Sequence, residues 1–273
     1  ASDVYKRQTV LGSALAMLDA TVVNIALPAI GRDLDAGVTG LQWTLSGYTL
    51  ALASLILLGG SLGDRLGRRR VFIWGVVWFA AASVLCGLAP SIEVLIAARL
   101  IQGVGAALLT PGSLALISAS IQGEDRGAAI GLWSGLGGVA SAVGPLLGGW
   151  LVDAVGWRAV FLINIPLAVV VVAVAAKHVP ESRDPHASGR LDAPGAVTVA
   201  AALGLLTYGL IESHIVALAL GVVAVGGFVV IERRSHDPLV PPSLFASRVF
   251  LAANLVTFTV YAALGGVLSI IHI

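Results

Sequence analysis

One cysteine and one methionine occur in 273 residues, and Asp, Glu, Lys and Arg together make up only 11% of the chain. The lone thiol, Cys86, lies inside an apolar run, which excludes an intramolecular disulfide, a thiolate metal site and a CxxC redox pair. Soluble domains carry roughly 25% charged residues, so the shortage of charge excludes an ordinary water-soluble fold. The formal charge of +1 gives no footing for a nucleic-acid partner. His178, His186, His214, His236 and His272 fall at no metal-ligand spacing, and there is no GxxxxGK[ST] nucleotide loop. No nucleophile, metal or acid–base constellation appears in the loops, so the expectation is neither an enzyme nor a cofactor protein. What is present is apolar: 58% hydrophobic residues, a mean hydropathy of +0.96 and 33 glycines, which let helices approach closely in lipid.

About 20 apolar residues in a helix cross a bilayer core. Windows of that kind cover 10–30, 43–62, 71–89, 92–120, 128–151, 159–176, 194–211, 215–232 and 250–267, which predicts an all-α membrane protein with eight spans and an interrupted ninth. Gly37, Pro90, Gly123, Gly156, Pro180, Gly189 and the cluster Pro238, Pro241 and Pro242 mark the joints. Placing the loop after span 2 in the cytoplasm puts Arg65, Arg68, Arg69, Arg70, Arg126, Lys177, Arg183, Arg190, Arg233, Arg234 and Arg248 on that side. Only Arg32 and Arg158 fall on the other. Cytoplasmic loops carry the Lys and Arg excess, so the expectation is a multi-pass protein of the cell (inner) membrane with a cytoplasmic amino terminus.

The two ends read as something other than protein-coding sequence. Residues 2–8, SDVYKRQ, translate a transposase mosaic-end adapter, and the final LSIIHI differs at one position from the translation of its reverse complement. Residues 1–8 and 268–273 are therefore set apart as adapter-derived tails.

Residues 59–72, GGSLGDRLGRRRVF, recur as GGWLVDAVGWRAVF at 148–161, agreeing at eight of fourteen positions, including Asp64 with Asp153, Gly67 with Gly156 and Arg69 with Arg158. The offset carries the loop after span 2 onto the loop after span 5. A shift of three spans reverses the side of the membrane, so the repeat is inverted, as in secondary transporters.

The first of these stretches, through Gly60, Leu62, Asp64, Arg65, Gly67, Arg68 and Arg69, resembles the signature loop G-x-L-x-D-R-x-G-R-R of the major facilitator superfamily. LDATVVNIALP at 18–28 is similar to the first-helix signature of its fourteen-span multidrug:proton antiporters, and RLIQGVGAA resembles an R-x-x-Q-G motif at Arg99, Gln102 and Gly103. Gly144, Pro145, Gly148 and Gly149 resemble the antiporter motif G-x-x-x-G-P-x-x-G-G, with Ala140 in place of its first glycine. WRAVFLINIP at 157–166 and RLDAPG at 190–195 are also similar to this group. The resemblance implies a six-helix amino-terminal bundle over 9–176, a cytoplasmic loop at 177–193 and two extra central helices over 194–232. A second cytoplasmic loop at 233–249 and the start of a carboxyl-terminal bundle at 250–267 follow, the rest of that bundle being missing. It implies proton-coupled efflux of small amphipathic or cationic compounds, with protons, substrate and lipid as partners. The alternatives are export of one specific metabolite and nutrient uptake.

An acidic group in mid-span costs on the order of 2.5–3.5 kcal/mol on insertion scales, and Asp19 lies roughly 13 Å into its span. Buried carboxyl groups of this kind take up and release protons in pumps, which makes Asp19 the first candidate; a structural carboxylate bonded to Thr21 or Asn24 is the alternative. Arg99 lies at a similar depth, roughly 12 Å in, where the two could interact. A fixed positive charge there could help discharge a protonated carboxylate, or the guanidinium could simply pin backbone carbonyls. Thr21, Asn24 and Gln102 are candidate pocket residues. Asp64, with Gly60, Gly67, Arg65, Arg68 and Arg69, reads either as an interdomain latch meeting a helix amino terminus or as local charge balance. Glu212, Asn164 with Pro166, and Asn254 are secondary candidates.

Overall fold

The computed structural model describes the backbone of residues 2–120, 125–184 and 192–271. Among these residues the chain is helical, with no strand. The helices are α1 (Ser2–Asp33), α2 (Val38–Leu66), α3 (Arg68–Gly87), α4 (Ile92–Ser120), α5 (Asp125–Ala154), α6 (Arg158–Leu162), α7 (Asn164–His178), α8 (Ala193–Ile211), α9 (Ile215–Arg234) and α10 (Arg248–Ile271). A 3-10 turn at Pro242–Ala246 precedes α10. Among the described residues six stretches are long and apolar enough to cross a membrane. Ala142–Ala154 and Arg248–Val260 are shorter apolar helices. The side chains of the two suspected tails, 1–8 and 268–273, and those of Arg126, Ala140 and Arg190 lie outside the described residues.

Each expected span falls on a helix, but the sixth is divided, with α6 ending at Leu162 and α7 starting at Asn164. Pro166 explains the joint. It has no N–H to give to the Leu162 carbonyl, and its ring crowds that carbonyl four residues back.

The inverted repeat reappears as geometry. Gly67 and Gly156, matched in the sequence, both adopt positive φ, at 118° and 108°. Arg69 at the start of α3 donates to the Val179 carbonyl just past the end of α7 (2.9 Å), and Arg158 at the start of α6 donates to the Ala89 carbonyl just past α3 (3.3 Å). The same arginine thus performs the same exchange at opposite ends, and α3 runs antiparallel to the α6–α7 pair.

Helices α1 to α7 enclose two apolar clusters. One gathers Leu15, Tyr48, Phe72, Val76, Phe79, Leu109 and Val171; the other gathers Val22, Val23, Ile30, Leu95, Trp157, Val160 and Phe161. The helices that give fully buried residues to both change cluster at a buried polar residue: α1 at Asp19, α3 at Ser83, α4 at Arg99 and Gln102. Asn164 likewise stands between Phe161 and Ala168 on the α6–α7 segment. A polar layer therefore divides the bundle across its middle. Helices α8 and α9 pack on one another, and α8 also rests against α2.

Candidate functional site

Asp19 and Arg99 meet inside this layer. Arg99 Nη1 donates to Asp19 Oδ2 at 2.6 Å, with the two side chains 0% and 1% exposed. The other carboxylate oxygen, Oδ1, accepts from Gln102 Nε2 (3.0 Å) and Asn164 Nδ2 (2.7 Å). Ser83 Oγ receives both amides as well, at 2.9 Å and 3.2 Å, and passes its own proton to the Phe79 carbonyl. Arg99 is held further by the Thr44 carbonyl (3.2 Å) and Gln102 Oε1 (2.6 Å), and its guanidinium lies 4.2 Å from the centre of the Tyr48 ring. The Cys86 thiol donates to Gln102 Oε1 at 3.6 Å. Taking two charges out of water is tolerable only where the remaining lone pairs and N–H groups are satisfied, and here α1, α2, α3, α4 and α7 each supply a partner. Asn164 Oδ1 is the one buried atom of the network left without a bond.

Sequence reasoning singled out Asp19, Arg99 and Gln102 and ranked Asn164 lower, whereas Ser83 and Tyr48 escaped it. Serines in helices ordinarily bond their own backbone, so nothing in the local sequence marks Ser83. Gln102, expected near a substrate pocket, is fully buried beneath Asp19. Thr21 bonds the Leu18 carbonyl and packs on Gly144 of α5, where a Cβ would overlap its hydroxyl. Asn24 is exposed and bonds the Ala20 carbonyl. Gly148 meets Val22 of α1, while Gly149 has open space and Pro145 is exposed. The groove between α2 and α8 is lined instead by Ser46, Thr49, Thr207 and apolar neighbours.

At the Arg-rich end, the loop between α2 and α3 is clasped by residues 179–184. The Arg68 N–H bonds the Ser182 carbonyl and the Asp184 N–H bonds the Asp64 carbonyl. Glu181 Oε1 accepts the backbone N–H groups of Arg69 and Ser182, both at 3.1 Å, and its Oε2 lies 3.9 Å from Arg69 Nε and 3.8 Å from Arg70 Nε. Asp64 itself pairs with Arg68 at 2.8 Å. Arg65 lines an open cavity with Asp64, Gly60, Pro111 and Leu239. Glu181 was not foreseen, since a glutamate in a loop carries no sequence signal. Gly67 is doubly constrained: its φ of 118° disfavours any side chain, and a Cβ would lie 2.7 Å from the Glu181 carboxylate. Gly67→Ala is expected to destabilise the protein by about 1–3 kcal/mol and to free residues 179–184. A cysteine placed at Ser182 would then label faster with a polar maleimide; unchanged labelling and melting would contradict this reading.

At the opposite end, Trp157 Nε1 (2.9 Å) and Arg158 Nη1 (2.6 Å) donate to Asp33 Oδ2. Those two donors, Trp157 first, hold the Asp33 carboxyl below its ordinary value. The tie therefore persists above that value and loosens only as pH falls through the lowered one. Trp43 Nε1 donates to Glu212 Oε1 at 2.8 Å and its ring meets Tyr208, fastening α8 to α2.

The description Major Facilitator Superfamily belongs to the family model that matches residues 9–272. Among curated proteins the chain is similar to the multidrug resistance protein Stp of Mycobacterium tuberculosis, 39% identical over 270 residues, or 95% of this chain and 50% of that protein. It is 39% identical to the methylenomycin A resistance protein of Streptomyces coelicolor, covering 93% of this chain and 55% of that one. With the tetracenomycin C resistance and export protein of Streptomyces glaucescens it shares 36% identity, covering 94% and 49%. The chain spans about half the length of these relatives. Among solved structures, the human organic anion transporter MFSD10 (TETRAN) superposes with a TM-score of 0.56 at 20% identity, over 75% of this chain and 54% of that one. At that identity the likeness speaks to the fold alone.

Proposed function

Because the chain belongs to the major facilitator superfamily, we propose that it supplies the proton-handling part of an antiporter that exports small amphipathic compounds by alternating access. Family and fold point to a transporter rather than an enzyme. In this reading residues 9–176 are the amino-terminal bundle, 194–232 the central helix pair and 250–267 the start of a second bundle. The Arg-rich end faces the cytoplasm, following the Lys and Arg excess.

The observation that carries the proposal is the Asp19–Arg99 pair, buried in the middle of the bundle and joined from helices 80 residues apart. A proton arriving on Asp19 Oδ2 removes the anion that Arg99 neutralises. Arg99 then depends on the Thr44 carbonyl, Gln102 Oε1 and the Tyr48 ring, and the uncompensated charge favours rehydration of the layer and a change of access. Return of the proton to water on the other side restores the pair. Gly144, Pro145, Gly148 and Gly149 shape the α1–α5 contact beside it, and Gly60, Asp64, Arg65, Gly67, Arg68 and Arg69 act as the cytoplasmic latch. Thr21 and Asn24, beyond Asp19 on α1, are offered as substrate contacts.

Asp19→Asn keeps an oxygen to accept from Arg99 but cannot cycle a proton. In the full-length protein reconstituted into liposomes, a pH gradient is expected to drive uptake of a lipophilic cation such as ethidium, and the variant is expected to lose that uptake at least about tenfold. Ethidium exchange without a gradient should persist, which separates coupling from folding. Gradient-driven uptake that survives in Asp19→Asn would sink the proposal. A second reading, export of one dedicated metabolite, is favoured by the names of relatives tied to single antibiotics; a competition panel against ethidium distinguishes it.

A further inference from the structure

Two more carboxylates are buried at the Arg-rich ends of α8 and α9, away from the Asp19 layer. Asp192, 6% exposed, caps α8: its Oδ1 accepts the Gly195 N–H at 2.9 Å, and its Oδ2 accepts nothing. Glu232, 4% exposed, stands in the last turn of α9. Its Oε2 accepts the Val240 N–H at 2.9 Å, and its Oε1 accepts nothing. The two orphan oxygens converge on one bare Cα, for a Cβ on Gly195 would lie 2.7 Å from Glu232 Oε1 and 2.9 Å from Asp192 Oδ2.

Among the described residues, the charged groups nearby leave both carboxylates unpaired. Asp192 is the charged group that α8 presents. Helix α9 adds Arg233, which lines the groove beside Glu232 with Val240 and Phe245, and Arg234; both are exposed. The following segment adds His236 and Asp237. Among the described residues none of these cations forms an ion pair with either carboxylate. Like charges set together out of water do not both stay ionised, and a buried acceptor without a donor is costly.

We propose that Asp192 and Glu232 bind one proton between them, carried on Glu232 Oε1 and donated to Asp192 Oδ2. A single O–H satisfies both orphan oxygens. The helix ends decide which group carries it: the positive amino-terminal end of α8 stabilises the Asp192 anion, and the negative carboxyl-terminal end of α9 disfavours an anion at Glu232. A divalent cation is the wrong ligand, since it asks for about six oxygens and no group of three or more acidic, His or Cys side chains occurs among the described residues. The bound proton ties the start of α8, the end of α9 and the Val240 segment together. Removing it opposes two anions and parts the helix ends, so stability falls as pH rises. This site does not depend on the antiport reading.

The test uses the full-length protein in lipid nanodiscs, with infrared difference spectra and melting curves taken between mildly acidic and alkaline pH. The wild type is expected to show a carboxylic-acid carbonyl band that is lost in Glu232→Gln and shifted in Asp192→Asn. Its melting temperature should fall toward alkaline pH, and Glu232→Gln, which keeps an N–H aimed at Asp192, should flatten that fall. If Asp192→Asn does not fold, the Glu232→Gln comparison decides. Spectra and pH profiles identical in wild type and Glu232→Gln would overturn the proposal. So would a missing band together with melting that rises on addition of sodium or potassium, which would make the ligand a metal cation instead.

Discussion

Arg99→Met is expected to destabilise the protein by about 3–5 kcal/mol, the usual cost of removing one member of a buried ion pair. The substitution keeps most of the side-chain volume against Tyr48 while deleting every N–H that reaches Asp19, Thr44 and Gln102. Asp19 then keeps only the Gln102 and Asn164 amides on Oδ1, and its Oδ2 stays buried without a donor. Adding Asp19→Asn removes the stranded charge, so the double variant should melt above Arg99→Met alone, with a coupling of about 0.5–3 kcal/mol between the two sites. Melting of the purified full-length protein in detergent, as single variants and pair, checks this. Strictly additive losses would mean that the two charges do not stabilise one another across the layer.

Gly59→Ala is expected to cost about 1–3 kcal/mol through overpacking, while its neighbour Gly60→Ala should be neutral or slightly stabilising. Both glycines sit in α2, where alanine is the better helix former by about 1 kcal/mol. The difference is tertiary. A Cβ on Gly59 would collide with the Ala107 carbonyl oxygen and lie 2.9 Å from its carbon, so α2 and α4 must part. On Gly60 the nearest atom would be Pro111 Cβ at 3.6 Å, an ordinary contact. Backbone does not yield as a flexible side-chain tip does, so the first substitution strains the helix pair and the second fills space. Equal melting temperatures for the two variants would contradict the close approach of α2 to α4.

The spans, the odd carboxylate and arginine inside them, and the repeat were all legible in the sequence, and for one reason. Lipid offers no hydrogen bonds and tolerates little charge. Asp19 and Arg99 therefore stand out against apolar neighbours, and the spans announce themselves by length. The matched glycines of GDRLGRRR and VDAVGWRA were legible because a positive φ leaves few residue types to choose from, and Gly67 and Gly156 do share it. The division of the sixth span was readable in principle from Pro166, yet proline also occurs inside α1, α4 and α5 without ending them. Residue type alone did not say which proline interrupts.

By itself, then, the sequence determined a helical membrane protein, the end where its arginines gather, and two charges set at a similar depth inside its spans. Only the tertiary structure decided which neutral groups complete the site. Ser83, Tyr48 and Asn164 are ordinary residues for their helices, and they join the Asp19–Arg99 network, Ser83 by way of the Gln102 and Asn164 amides, because five helices bring polar groups to the same depth. The same holds for Glu181 beneath the Arg-rich loop and for Asp192 facing Glu232. Hydrogen bonding acts over about 3 Å, whereas sequence patterns record which face of a helix is apolar, not which neighbour it will meet.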